Sequence, residues 1–470
     1  MLTSLGLRLR IFLLFLGIAV ACTAAVGASL YAGYSRSFES GTESGFLFAG
    51  ALSLFGILAV STWVWFLFDE NVAKPIERLS ATIRTRTHAD VDTSVDMHQA
   101  RYLGDLAPAV EAVAEKLSKV SADADEIVAS ETARLIAERT NLSALLTEIP
   151  VAIILVSPRH QITLYDGQAH DVLSLVQVPR LNASIFDYFV EEDLRAAHDE
   201  LTGSRTDAFA EVRGTGGKLS FKLHLKKLDQ TPGYMVLVDS TQAQISPEAA
   251  RPLIYDFDLS EQESELAIED CPLQSLTFVV FDTETTGLMP NKDEIVQIGA
   301  VRVVNGRIVP GEKVDQLVNP GRSIPLPSTR VHGISDDMVI DAPDAPTAVD
   351  QFHGFARGAV LVAHNAPFDM AFLHRHEKAS GLVWDHPLLD TVLLSAVLYG
   401  ETEKHTLDAV CERLGITIPP ELRHTALGDA QATAEALCKM LPILASRGYQ
   451  TFGEVIEQTR KHGRLLKDLN

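Results

Sequence analysis

The stretch FVVFDTETTGL, Phe278 to Leu288, sets two carboxylates, Asp282 and Glu284, two positions apart at the end of an apolar run. Thr277 to Phe281 has the β-branched and aromatic content of a strand. On a strand, residues i and i+2 face the same way. Asp282 and Glu284 therefore point together from the tip of a buried strand and need partners that make them tolerable there.

The following segments extend that strand into a domain. EIVQIGAVRVV leads to Asn305-Gly306, the strongest short hairpin signal, and then to RIVPGEKVDQLVNP. The pattern predicts a meander of three antiparallel strands. AVLVAHNA, Ala359 to Ala366, is a short buried strand before the next helix. Strands first, then helices alternating with further strands, indicate a mixed sheet covered by helices.

Two more acids lie downstream. Asp369 stands in AHNAPFDMAFL, in the first turn of a helix, and Asp429 in RHTALGDAQATAEAL, where an alanine-rich helix begins. Four carboxylates on one site cannot all stay ionised without cations, and hard oxygen ligands suit Mg²⁺ or Mn²⁺. Two such ions about 3.5–4 Å apart clamp the attacking and leaving oxygens of a phosphodiester cleavage. His424 precedes Asp429 by five residues, which on one helix would set them about 140° apart. That places His424 on the loop before the helix, where it is the obvious general base. Asp429 taken alone would also suit a helix N-cap, and Asp390, before TVLLSAVLYG, reads as one. His364 reads as a packed or hydrogen-bonded histidine.

FDTETTGL, HNAPFD and HTALGDA, in this order, closely resemble the three motifs of the DEDDh exonuclease family, which includes the proofreading epsilon subunit of bacterial DNA polymerase III and ribonuclease T. The resemblance covers about Leu276 to Leu444. It implies a ribonuclease H-like α/β fold and metal-dependent 3′→5′ removal of nucleotides. It also implies that Asp282, Glu284, Asp369 and Asp429 hold two metal ions and that His424 is the base. VHGI, Val331 to Ile334, matches the family as well, implying that His332 and Gly333 lie against the terminal nucleotide. By the same likeness Thr285 and Asn365 are substrate contacts.

The rest of the chain is of another kind. Lys and Arg number 40 against 62 Asp and Glu, a formal charge of −22, so no global field draws the protein to nucleic acid. A phosphate-bearing substrate must be held locally, by metal ions or a small basic groove. The four cysteines form no CxxC, which argues against a disulfide framework or a zinc site and suits a reducing cytoplasm. Ile11 to Gly33 and Phe46 to Phe68 are uncharged apolar runs, each long enough for a bilayer that needs about 20 residues. Arg8 and Arg10 precede the first run; Lys74, Arg78, Arg84 and Arg86 follow the second. This predicts an inner-membrane hairpin with both termini cytoplasmic; the alternative makes the first run a cleaved signal peptide.

After the second run, KPIERLSATIR carries Ile76, Leu79 and Ile83 at helical core spacing. A second helix has Leu103, Leu106, Val110, Val113, Leu117 and Val120 in steps of three and four, a coiled-coil seam. Two short helices after a membrane span resemble a HAMP module and predict a parallel homodimer; a plain dimerising stalk is the alternative. Residues 142–241 resemble a PAS-type α+β sensor fold, with no His or Cys marking a haem or flavin anchor. The expected organisation is two transmembrane helices in 1–70, HAMP-like and coiled-coil helices in 71–141, the PAS-like domain in 142–241, a mobile acidic linker in 242–274, the exonuclease in 275–446 and a tail in 447–470. The function this predicts is a membrane-tethered 3′→5′ exonuclease acting on single-stranded nucleic-acid ends, DNA in preference to RNA. Its alternatives are an oligoribonuclease acting on short RNA and a signalling receptor whose exonuclease fold only binds nucleotides.

Overall fold

The computed structural model describes residues 7–36, 43–89, 151–201, 205–217, 219–228, 232–238, 253–260 and 266–470. They divide into two units, Met1–Asp123 and Ala124–Asn470.

The described residues of the first unit form α1 (Leu7–Arg36), α2 (Glu43–Phe68), a π-helical turn at Asp69–Ala73 and α3 (Lys74–Ala89). The rings of Phe12 and Trp65 stand 5.5 Å apart and those of Phe15 and Phe68 5.8 Å, so α1 and α2 pack side by side. Among the described residues, one helical run, Gly50–Thr87, is long and apolar enough to cross a membrane by length and composition. On α3, Leu79 is buried while Ile83 is exposed. The seam from Leu103 to Val120, and the dimer drawn from it, lie outside the described residues.

The second unit contains two sheets. The first has the order β3-β4-β5-β1-β2-β6, built from β1 (Ala152–Val156), β2 (Ile162–Tyr165), β3 (Asp207–Arg213), β4 (Ser220–Lys227), β5 (Tyr234–Val238) and β6 (Ile254–Tyr255). All its neighbours are antiparallel. Between β2 and β3 lie α4 (Gly167–Ser174), capped by Asp166 on Ala169 N–H, and α5 (Glu191–Leu201). Alternate residues of β1 and β5 turn inward onto Tyr188, Phe189 and Leu194. Strand β6 corrects one expectation. It comes from the stretch taken as a mobile linker, because Ile254 and Leu259 bury their side chains despite the acidic composition around them.

The second sheet has the order β11-β10-β7-β8-β9, from β7 (Phe278–Thr285), β8 (Ile295–Val304), β9 (Arg307–Leu317), β10 (Val360–Ala363) and β11 (Leu388–Asp390). Strands β7, β8 and β9 are the expected antiparallel meander, and β10 runs parallel to both β7 and β11, giving the mixed sheet. Asn305 and Gly306 both take positive φ, 48° and 69°, as a two-residue hairpin demands. Around the sheet lie α6 (Leu326–His332), α7 (Ala345–Ala356), α8 (Ala366–Arg375), α9 (Thr391–Tyr399), α10 (Leu407–Arg413), α11 (Ala426–Ser446) and α12 (Phe452–Thr459). In the segment expected as a tail, α12 forms because Thr451 and Glu454 make a capping box and Phe452, Val455 and Ile456 are buried.

The two sheets share a core: Val304 and Val309 of the second join the cluster of Ile154, Tyr188 and Val236. Beside them Arg302 of β8 and Glu312 of β9 form a buried ion pair. Glu312 Oε1 accepts from Tyr165 Oη and Leu181 N–H, and Arg302 donates to the Leu181 carbonyl.

Candidate active site

Strand β7 does not stop at Phe281. Its ladder with β8 continues to Thr285, so both acids lie within the strand, Asp282 opposite Gly299 and Glu284 opposite Gln297. The first turn of α11 brings in Asp429. One carboxylate oxygen each from Asp282, Glu284 and Asp429 lie within 4.8 Å of one another. Asp369, from the first turn of α8, is buried with 2% exposure, and its Oδ1 accepts from Thr283 N–H at 3.0 Å and Thr283 Oγ1 at 2.6 Å. Its charge is the one that acts most strongly on Asp282.

Burial, then Asp369, Glu284 and Asp429, hold the Asp282 carboxyl well above the usual carboxylate range. Burial, with Asp429 and Asp369, raises Glu284 to about 8. Burial raises Asp369 to about 7 against the two Thr283 bonds, which pull it down. Asp429 is raised by burial and lowered by His424. Every other charge acting on Asp282 and Glu284 is thus a carboxylate, so these groups must take up protons or cations. A compact, all-oxygen donor set of this charge fits Mg²⁺ or Mn²⁺.

His424 is exposed on the turn before α11, where its spacing from Asp429 places it, with φ 57°. Its charge and its backbone both pull the Asp429 pKa down against burial. Thr425, not Asp429, is the N-cap, accepting from Gly428 N–H at 3.1 Å. His332 ends α6, buried, with Nδ1 accepting from Ile334 N–H; burial lowers its pKa and the Thr285 backbone acts against that shift, which puts the ring beside Thr285. Gly333 takes φ 75° as the left-handed cap of α6. Asn365 takes φ 70° at the start of α8, where Asp390 accepts Ala366 N–H. Asp390 is also the N-cap of α9. His364 bonds Thr391 at 2.9 Å and burial pushes it down to about 4, in keeping with a packed histidine.

The fold therefore gathers Asp282, Glu284 and Asp429, brings the charge of Asp369 to bear on Asp282 and that of His424 on Asp429, and sets His332 beside Thr285. Thr283, Gln297 and Gly299 escaped the reading of the sequence. Thr283 sits between the two acids of β7, and Gln297 is the one polar side chain in IVQIGAV, a signal that stood in the sequence.

The exonuclease family RNase_T matches residues 279–437. A DNA polymerase III subunit epsilon-like protein of Rhodobacter capsulatus is 33% identical, over 100% of each chain. A PolC-type DNA polymerase III of Caldanaerobacter subterraneus subsp. tengcongensis is 41% identical over 41% of this chain and 13% of that one. Among solved structures, exonuclease X in complex with 5′ overhanging duplex DNA is 28% identical, covering 39% of this chain and 99% of that one with a TM-score of 0.31.

Proposed function

The chain belongs to the family of DNA polymerase III subunit epsilon-like proteins and carries an exonuclease domain, and from that premise we propose that it is a membrane-tethered 3′→5′ exonuclease of the DEDDh type. The observation that carries the reading is the convergence of Asp282, Glu284 and Asp429 within 4.8 Å, with Asp369 held by Thr283 and its charge acting on Asp282.

In this reading the four carboxylates hold two Mg²⁺ or Mn²⁺ ions, which when bound neutralise charge on the phosphate and on the attacking and leaving oxygens. Thr283 fixes Asp369 through two hydrogen bonds. His424, exposed on its turn, takes the proton from the attacking water. His332, Gly333, Thr285 and Asn365 hold the terminal nucleotide. With a net charge of −22 the protein has no long-range attraction for nucleic acid, so grip on the substrate is local. DNA is favoured over RNA because the named relatives are a DNA polymerase III subunit epsilon-like protein and a PolC-type DNA polymerase III. The apolar run from Gly50 supports a membrane anchor, and the arginine and lysine flanks support cytoplasmic termini. The antiparallel order β3-β4-β5-β1-β2 supports the PAS-like reading, and the heptad seam of Leu103 to Val120 supports a homodimer.

The test is to incubate the full chain in detergent with Mn²⁺ and 5′-labelled single-stranded DNA, duplex DNA or RNA. Progressive shortening of the single-stranded DNA is expected. Absence of cleavage would overturn the enzyme, shortening of 3′-labelled DNA from its other end the polarity, and faster loss of RNA the substrate.

A further inference from the structure

The two residues of β8 that face the acids of β7 are Gln297, opposite Glu284, and Gly299, opposite Asp282. Directly opposed residues of an antiparallel pair share one face of the sheet, with their Cβ positions about 5 Å apart. On that face the start of α11 is seated on β8. Gln297 Oε1 accepts the N–H of Ala426, the first residue of α11, at 3.1 Å, and Gln297 Nε2 donates to Asp315 Oδ1 at 2.7 Å. That N–H is one of those a helix leaves without an internal partner. A Cβ at position 299 would stand 2.1 Å from Ala426 C and Leu427 N, so only glycine lets the helix approach this closely.

We infer that Gln297 and Gly299 are positioning residues of the active site: they set how far Asp429 and the turn carrying His424 lie from Asp282 and Glu284. The inference rests on the metal-site reading above. Asp429 is three residues beyond Ala426, in the same first turn, so the bond that fixes the helix start fixes the acid. Neither Gln297 nor Gly299 supplies a metal ligand or touches the reacting atoms. Gln297 works through Ala426, and Asp315 keeps its amide turned so that oxygen, not nitrogen, faces the helix.

The variants are Gln297→Leu, Gly299→Ala and the exchange Gln297→Glu with Asp315→Asn, in which the donor and acceptor swap places while an oxygen still faces Ala426. Each is measured in the full chain by Mn²⁺ calorimetry, thermal melting and steady-state cleavage of single-stranded DNA. Loss of an outer residue that orients ligands typically costs about 10–100-fold in metal affinity or activity. Gln297→Leu should lose Mn²⁺ affinity and kcat on that scale at unchanged KM, Gly299→Ala should lose at least as much, and the exchange should restore most of what Gln297→Leu loses. Normal Mn²⁺ affinity and kcat in Gln297→Leu would overturn the inference alone. So would an exchange variant no better than Gln297→Leu at an equal melting temperature. Failure of the unmodified chain to bind Mn²⁺ would overturn the metal-site reading and this inference with it.

Discussion

Arg302 Nε on β8 lies 2.8 Å from Glu312 Oε2 on β9, with side-chain exposures of 2% and 1%. Burial pulls the Arg302 pKa down and pushes Glu312 up, each opposed by the other's charge. Removing one member of such a pair leaves an uncompensated buried charge and costs about 3–5 kcal/mol. Arg302→Met should therefore destabilise the nuclease sheet by that amount. Adding Glu312→Gln removes the second charge and keeps an acceptor for Tyr165 and Leu181, so the double variant should recover much of the loss. Denaturant melts followed by circular dichroism check this; a double variant less stable than Arg302→Met refutes it.

The metal-free protein should lose stability as pH rises. Glu284 is raised to about 8 and Asp369 to about 7, whereas in the unfolded chain both return to about 4. Between those values the folded state holds protons that the unfolded state has released, so stability falls from about pH 4 towards pH 8. Saturating Mg²⁺ should flatten that slope, and Asp282→Asn should raise the melting temperature of the metal-free protein at pH 8. A melting temperature that climbs over this window without metal contradicts the assignment.

Asp282 and His424 should part company when mutated. Asp282→Ala should abolish turnover and weaken Mn²⁺ binding together. His424→Ala should lose about 10²–10⁴-fold in single-turnover cleavage, the usual worth of a general base, at near-normal Mn²⁺ affinity. Equal metal loss in both would make His424 a ligand or scaffold residue, and unchanged cleavage would remove it from the chemistry.

Thr283 holds Asp369 with its hydroxyl at 2.6 Å. Thr283→Val keeps the shape and the strand preference but removes that donor, and should lower Mn²⁺ affinity about 10-fold or more. Thr283→Ser should restore it. Calorimetry on both variants settles the matter, and full affinity in Thr283→Val would release Thr283 from the role.

Both termini should lie in the cytoplasm. A reporter active only in the periplasm, fused after Asn470, should stay silent; a signal from it would invert the topology.

Much of the second sheet could be read in the sequence because its signals are local. Asn305-Gly306 announces the β8–β9 hairpin, and Asp282 and Glu284 share a face by strand alternation alone. His424 precedes α11 because Thr425 is a better cap than anything beside it. What stayed hidden depends on partners distant in sequence. Ile254 became a strand only by reaching Tyr165, while the acidic residues around it pointed to a mobile linker, and Phe452 a helix residue only by reaching a buried site. Gly299 looked like an ordinary member of an apolar strand, and Gln297, though polar, showed no partner, since Ala426 lies over a hundred residues away in sequence. Thr283 was overshadowed by the acids on either side.

The ion pair on β8 and β9 and its bonds to Tyr165 and Leu181 bear on what can be cut from this chain. A fragment beginning near residue 275 would carry Arg302 and Glu312 to a raw surface, with Val304 and Val309 stripped of Ile154 and Tyr188 beside them. Protease trimming should accordingly stop short of freeing the nuclease sheet. The core and the ion pair join the two sheets directly, so a displacement of the first sheet bears on β8, the strand that seats α11.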